Sequence, residues 1–474
     1  MAVSQTNFAW ATLLEIDPAR RDRRLHDRLA GALRAAIRDG RLAEGAALPP
    51  SRALAEELGC SRWAVTQAYG QLVAEGYLAA RVGSATRVAW APRAEPPPRA
   101  RRFRTPPPVR YDLAPGLPDV RAFPRRRWAE AVRAVIGSAV RYDLGLPDPA
   151  GHEVLRTTLA QYLGRSRGAD TDATSVSVCA GITDGLARIC RALGAEGITD
   201  VAVEDPGWPR LRDAATAAGL RVHPVPVDDD GLRVDLLARG PARAVVVGAA
   251  HQFPTGVVLS PDRRAGLVRW AREVDGYVIE DDYDAEFRYD HRPVAVMQGM
   301  APDRVFLLGS VSKTLSPALG LGWLVAPGAM AAAVRTANRV AAAPPVLDQL
   351  ALATFIDRGW YDAHLRAARR RFRARRELLV RTLGSQLPQG RIAGSAAGLH
   401  VLLRLPDGAD TRAVVRSAAA AGLRLADLDS YRVRRSARPA LVLGYGNISD
   451  AEIPLAVALL RDAVRPTVRA SSPR

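Results

Sequence analysis

The stretch Gly309-Ser310-Val311-Ser312-Lys313-Thr314-Leu315-Ser316-Pro317 holds the only lysine of a 474-residue chain, and the other 66 basic residues are arginines. Guanidinium keeps its proton in proteins, whereas an ammonium can lose one and become a nucleophile. A chain this committed to arginine keeps lysine where an amine is needed, and the hydroxyl-rich surroundings suit a lysine that forms a Schiff base. The alternative is a biased composition that left one lysine by chance. The rest of the sequence decides between them.

Just before Lys313 lies a short apolar run, residues 305–308, and similar runs occur at 176–179, 201–203, 222–227, 244–247 and 277–279. Helical stretches precede the first of these, at 128–140 and 153–163, and others fall between most of the rest. Short, continuously apolar strands separated by helices imply a largely parallel sheet buried on both faces. Ligands of such sheets sit at the carboxyl ends of the strands. The polar motifs fall there: Ala180-Gly181-Ile182-Thr183-Asp184-Gly185, Glu204-Asp205-Pro206-Gly207-Trp208, His251-Gln252-Phe253-Pro254-Thr255-Gly256 and Glu280-Asp281-Asp282-Tyr283-Asp284-Ala285-Glu286. The first is a glycine turn feeding a helix N-terminus, which suits an anion. The last crowds carboxylates as a metal site or a solvated cluster would.

The N-terminal part has another pattern. Leu25, Leu29, Leu33 and Ile37 mark one amphipathic helix, residues 52–58 a second, and Gly59-Cys60 ends it. Ser61 can cap a third helix, residues 62–75, with Val65, Ala68, Tyr69 and Leu72 on its buried face. Two short helices joined by a tight turn have the form of a helix-turn-helix, and residues 81–88 read as a small hairpin with a basic edge. The proline- and arginine-rich stretch "EPPPRARRFRTPPP" that follows reads as a semi-extended spacer. The basic stretch at 364–378 reads as the solvated face of a helix.

The totals agree with a nucleic-acid partner. Net charge is +18 and the pI about 10.8, which favours a polyanion, although an arginine-biased genome gives the same sign. Three cysteines without metal-ligand spacing speak against a disulfide framework. The first ten residues lack the features of a signal peptide, and there is no run of about 18 uncharged apolar residues. A cytoplasmic protein without a membrane partner is expected.

The segment "LPPSRALAEELGCSRWAVTQAYGQLVAEGYLAARVGSATRVA" resembles the winged helix of the GntR regulators. The resemblance implies double-stranded DNA as partner, with contacts from Arg52, from Ser61, Arg62, Trp63 and Thr66, and from the wing around Gly83. Ala85 stands where the wing usually has a second glycine. From Tyr111 onward, the order and spacing of the motifs resemble the fold-type I pyridoxal phosphate (PLP) aminotransferases. The whole chain is thus similar to the MocR/GabR-type regulators.

That resemblance implies a Schiff base between Lys313 and PLP, with Asp281 on the pyridine nitrogen, Tyr283 on the ring hydroxyl and Trp208 stacked on the ring. Ser310 and the amides of Gly181 and Ile182 match phosphate contacts. The chain departs from the pattern at Gly320, where an arginine normally binds the phosphate, and at Ile182, which replaces a hydroxyl residue. It departs again at Leu146, in place of a tyrosine that reaches the partner subunit's phosphate. Each lost charge-assisted contact costs about 1.5–3 kcal/mol. The arginine that holds a substrate carboxylate is replaced by Val442, with Arg438 the nearest arginine.

The expectation is an α/β protein: a winged helix over residues 1–90, a linker over 91–109, and an aminotransferase-like domain with a smaller C-terminal α/β subdomain over 110–474. Its function is that of a homodimeric transcription regulator sensing PLP or an amino compound, with vitamin B6 or amino-acid metabolism under its control. Turnover of free amino acids is disfavoured without a carboxylate clamp, and no metal is implied. The alternatives are a working aminotransferase carrying a DNA-binding domain, and a PLP-free regulator that uses the fold as a dimer scaffold.

Overall fold

The computed structural model describes residues 10–14, 24–80, 84–90, 109–289, 294–337, 343–434 and 438–469. The chain divides into two compact units, Met1–Thr105 and Pro106–Arg474.

In the first unit, the helices Leu25–Arg38, Ser51–Glu57 and Arg62–Ala74 enclose one core containing Leu29, Leu33, Ile37, Leu54, Val65 and Leu72. The apolar spacing foretold this face, except that Leu25, in the first turn, is exposed. The Ser61 hydroxyl accepts from the Ala64 amide at 3.3 Å, so the cap expected from sequence forms. The basic hairpin expected at 81–88 needs correcting. Its paired strands are Leu78–Ala79 and Arg87–Val88, because Leu78 and Val88 are the residues that reach the core. Residues 81–83, Gly83 among them, lie outside the described residues, as do residues 91–108 of the expected linker.

The second unit is built on an eight-stranded sheet. Its order is Val176–Cys179, Gly322–Val325, Val305–Ser310, Tyr277–Asp282, Ala244–Val247, Asp200–Asp205, Arg221–Asp228 and Gly231–Leu232. The five strands from Val305–Ser310 to Arg221–Asp228 are mutually parallel, as their unbroken apolar runs require. Gly322–Val325, which is not among the apolar runs expected to form strands, runs antiparallel between its neighbours. It follows Val305–Ser310 with no helix between long enough for a crossover. Apolar clusters cover both faces of the sheet. Ile182–Ala195 packs Leu186 and Ile189 near Phe306 and Leu308, and Pro261–Glu273 packs Leu267 near Val245 and Val278. Helix residue Gly185 lies so close to the sheet that a Cβ there would meet the Leu308 side chain at 2.6 Å.

A four-stranded sheet, Arg391–Ala393, His400–Arg404, Ala440–Gly444 and Ala426–Asp427, forms the C-terminal part with the helices Trp360–Gln386, Thr411–Ala420 and Ile453–Arg469. Helix Trp360–Gln386 corrects a further expectation: the stretch 364–378 is not wholly a solvated face. Leu365, Ala368 and Phe372 are buried, and so is Arg375, which binds Asp119 at 3.0 Å and Asp450 at 2.9 Å.

Candidate effector site and DNA-reading helix

The carboxyl ends of the central strands converge as expected, and alternation along Tyr277–Asp282 sends Glu280 and Asp282 to one face of the sheet and Asp281 to the other. Glu280 accepts from the Met297 amide at 2.7 Å. Asp282 makes a bidentate, buried pair with Arg167 at 2.7 and 3.0 Å. Asp284 lies on His251 Nδ1 at 3.0 and 3.1 Å. Glu280, Asp282, Asp284 and Glu286 are buried, so the cluster is not a solvated group. His251, Asp284 and His400 do offer ligand atoms within 4.8 Å of one another. His251 Nδ1 and Asp284 are engaged with each other and His400 Nε2 is 3.1 Å from the Pro254 carbonyl, while the buried His251 Nε2 has no hydrogen-bond partner among the described residues.

Asp281 is different. It lines a cavity with Glu204, Trp208, Phe253 and Tyr283, and its buried Oδ1 has no hydrogen-bond partner among the described residues. Burial, reinforced by the charges of Asp282 and Asp284, pushes its pKa up to about 7, while Lys313 pulls it down. Glu204 is raised further, to about 8, by burial, against hydrogen bonds from the Gly248 amide and Gln252. Gln252 also donates to the Pro206 and Phe253 carbonyls and so ties two strand ends together.

Lys313 follows the end of Val305–Ser310, and its Nζ donates to the Gly116 carbonyl at 2.5 Å. Burial lowers its pKa, against the pull of Asp284 and Asp281, and Arg210 lowers it further. An amine so placed gives up its proton more readily than a free lysine. The Ser310 hydroxyl, also buried, accepts from the Ser312 amide at 3.4 Å.

The glycine turn lies beside this segment. A Cβ on Gly322 would come within 2.7 Å of Gly181 Cα, and Gly322 pairs in register with Ser310. Gly181 has φ +115° and caps helix Ile182–Ala195, whose N-terminus is of the kind that suits an anion. Ile182 turns its side chain into the core and leaves only its amide. Asp184 holds the Ala180 amide at 2.8 Å and pairs with buried Arg188, so its charge is neutralised beside the turn.

Lys313, Asp281, Tyr283, Trp208, Ser310, Gly181 and Ile182 thus belong to one end of the sheet. The departures have a structural setting too. Gly320 has φ +58° and open space around its Cβ position. Leu146 is 97 % exposed. Val442 is buried in a cluster with Leu402, Leu428 and Ala440, against which Phe253 and Tyr431 pack. The sequence reading gave no role to His251, Glu204 or Asp284, although all three stand in the strand-end motifs it singled out. Arg167, Gly116 and Arg210 carried no signal, because only the fold brings them near.

In the winged helix, Arg52, Ser61, Arg62, Trp63 and Thr66 are all exposed. Trp63 is 61 % exposed at the start of its helix, with its ring edge-on to His26 at 5.4 Å. Arg62 Nε reaches Ser51 Oγ at 3.4 Å across the turn. Arg52 is paired loosely with Glu56, and Thr66 donates back to the Arg62 carbonyl.

Residues 25–88 match the model of the bacterial regulatory proteins of the gntR family, and residues 119–427 that of the aminotransferases of class I and II. The chain is 32% identical over 441 residues to the HTH-type pyridoxine biosynthesis transcriptional regulator PdxR of Corynebacterium glutamicum, covering 92% of this chain and 95% of that protein. It is 31% identical over 462 residues to the probable rhizopine catabolism regulatory protein MocR of Rhizobium meliloti, covering 93% of each. An archaeal alanine:glyoxylate aminotransferase superposes with a TM-score of 0.70 over 75% of this chain and 91% of its own, at 24% identity, which shows the shared fold. The chain therefore belongs to the MocR-type transcription regulators, DNA-binding proteins that join a GntR helix-turn-helix to an aminotransferase-like domain.

Proposed function

We propose that the aminotransferase-like domain is a sensor that binds PLP, or an amino compound condensed with it, through Lys313. The observation that carries this is the partnerless Oδ1 of Asp281, held at a strand end within electrostatic reach of the only lysine in the chain. When bound, PLP supplies an aldehyde that condenses with amines and a ring that draws electrons. The residues present fit it. Lys313 offers the amine, Asp281 a carboxyl for the ring nitrogen, Tyr283 a hydroxyl and Trp208 an aromatic face. Ser310 and the amides of Gly181 and Ile182 would take the phosphate, without the guanidinium that Gly320 replaces. The hold on the phosphate is correspondingly weaker, which suits a sensor that fills and empties as the ligand rises and falls.

Sensing of PLP itself, with control of vitamin B6 synthesis, is the reading we favour over amino-acid turnover. The apolar cluster around Val442 leaves no bidentate carboxylate clamp at that position, and the Corynebacterium relative is a pyridoxine biosynthesis regulator by name. We further propose a cytoplasmic homodimer, with residues 91–109 as the spacer between a DNA-binding part, 1–90, and the sensor, 110–474. No helix among the described residues is long and apolar enough to cross a membrane. Ile136, Val140, Tyr142, Leu144 and Leu146 form an exposed apolar series that a second copy would cover. Arg52, Ser61, Arg62, Trp63, Thr66 and the wing around Gly83 would contact DNA, the exposed arginines binding phosphates or guanine edges.

The test is an absorbance spectrum of the purified protein before and after PLP addition, with DNA binding followed in parallel. A Schiff-base band that Lys313→Ala abolishes, accompanied by a change in DNA affinity, is expected. A wild-type protein that shows no band after PLP addition sinks the sensor reading.

A further inference from the structure

The hydrogen bonds behind Tyr283 limit where its proton can point. His251 Nδ1 lies 3.0 and 3.1 Å from the two oxygens of Asp284 and 3.0 Å from the Tyr283 hydroxyl oxygen. His251 and Asp284 are both buried, and the His251 ring stacks on Tyr283 at 6.1 Å with 26° between planes. An ionised carboxylate can only accept, so the imidazole proton sits on Nδ1. A protonated Nδ1 cannot accept from Tyr283, so the tyrosine oxygen is itself an acceptor from His251. The tyrosine proton then has two outlets, Asp284 or the cavity. Asp284 keeps lone pairs beyond those facing the His251 N–H and is the competing acceptor, while its engagement by His251 weakens that competition against an anionic oxygen bound in the cavity.

The pair is held from the other side as well. A Cβ on Gly398 would stand 2.1 Å from His251 Cε1 and 2.5 Å from Asp284 Oδ2, so only glycine lets this segment close over them. The Gly398 carbonyl is anchored by the Tyr289 and Tyr445 hydroxyls at 2.6 and 2.5 Å. His400, 5.0 Å away ring to ring, is kept neutral by burial and by His251.

We propose that His251, oriented by Asp284, is a positioning residue that makes Tyr283 a hydrogen-bond donor into the cavity. The site thereby selects ligands that present an anionic ring oxygen beside the lysine-linked carbon. This rests on the reading that PLP binds at Lys313. Such a ring exists as an anionic-oxygen form that absorbs in the visible and a neutral form that absorbs in the near ultraviolet, and a donor at the oxygen favours the first.

The test is the ratio of these two bands in the full-length protein titrated with PLP at fixed pH. Loss of one hydrogen bond is worth about threefold to tenfold in that ratio. His251→Phe and Tyr283→Phe should each shift the ratio toward the near ultraviolet by that amount. His251→Asn, whose amide can place an N–H where Nδ1–H lies, should restore it. An unchanged ratio in His251→Phe overturns the proposal while leaving the cofactor reading intact. If that variant does not fold, Tyr283→Phe decides alone, and an unchanged ratio there overturns it equally. A wild-type protein without either band overturns both readings.

Discussion

Restoring an arginine at Gly320 should strengthen the binding of PLP and leave that of pyridoxal, which lacks the phosphate, almost unchanged. The position lies two residues before Gly322, which abuts the glycine turn at Gly181. The Leu321 carbonyl accepts from the Val311 amide at 3.1 Å, and Gly322 presses against Gly181. Gly320 has φ +58°, so any side chain there is conformationally costly, by about 1 kcal/mol. Nothing lies within 4 Å of the Cβ position, so no clash adds to that. The same charge-assisted contact is worth about 1.5–3 kcal/mol to a bound phosphate. Gly320→Arg should therefore lower the Tm of the free protein by about 2 °C and tighten PLP binding by about 10- to 150-fold. Absorbance titrations with PLP and with pyridoxal measure both arms. Equal gains for the two ligands, or no gain for either, would refute the assignment of Gly181, Ile182 and Ser310 to a phosphate.

Three more expectations concern the rest of the structure. Burial holds Asp281 at about 7 and Glu204 at about 8, against ordinary values of 3.8 and 4.5. The folded protein thus binds more protons than the unfolded chain in between, and its stability falls as pH rises from about 4 to 8. Asp281→Asn should remove one group's share of that slope, up to about 1.4 kcal/mol per pH unit, and a Tm-against-pH curve as steep as the wild type's would count against it. Arg167→Met strands Asp282 without its bidentate partner, and should cost about 3–5 kcal/mol in denaturant unfolding. A loss below about 1 kcal/mol would mean that solvent reaches the pair. Arg62→Ala should weaken DNA binding and reduce the salt-dependence slope by about one if Arg62 contacts a phosphate. An unchanged slope with relaxed sequence preference would make Arg62 a base reader instead.

The architecture was legible because its signals are local. Continuous apolar runs as short as 305–308, bounded by turn residues, fit strands buried on both faces, and four-residue spacing from Leu25 to Ile37 fits a helix lying on a core. Gly322–Val325 escaped because a four-residue strand after a turn has no period of its own. The wing strands were displaced because Leu78 and Val88, not the basic residues between them, carry the burial. In the site, Lys313 and Asp281 could be found from residue type and place. The partners of Asp282 and Asp284 could not, since Arg167 lies 115 residues from Asp282 and His251 33 from Asp284. Arg375 in the basic helix was misread for the same reason, as its carboxylates lie 256 and 75 residues away.

Whether this fold is only a dimer scaffold can be argued from what the site costs. A buried carboxyl oxygen without a partner costs about 1–3 kcal/mol, and Asp281 Oδ1 and Glu204 Oε1 are both in that condition. Lys313 adds a half-buried amine whose proton burial disfavours. Glu204 is at least tied to Gly248 and Gln252 through its other oxygen, whereas Asp281 ends at the cavity and Lys313, among the described residues, reaches the Gly116 carbonyl. Arg167 with Asp282, and Arg375 with Asp119, show that this chain pairs its buried charges where they serve packing. An asparagine at 281 and an arginine at 313 would serve a scaffold at least as well in so arginine-rich a chain. A partnerless carboxyl oxygen at Asp281, within electrostatic reach of the one lysine, is what a site completed by a ligand with a basic nitrogen and a carbonyl carbon would hold in readiness.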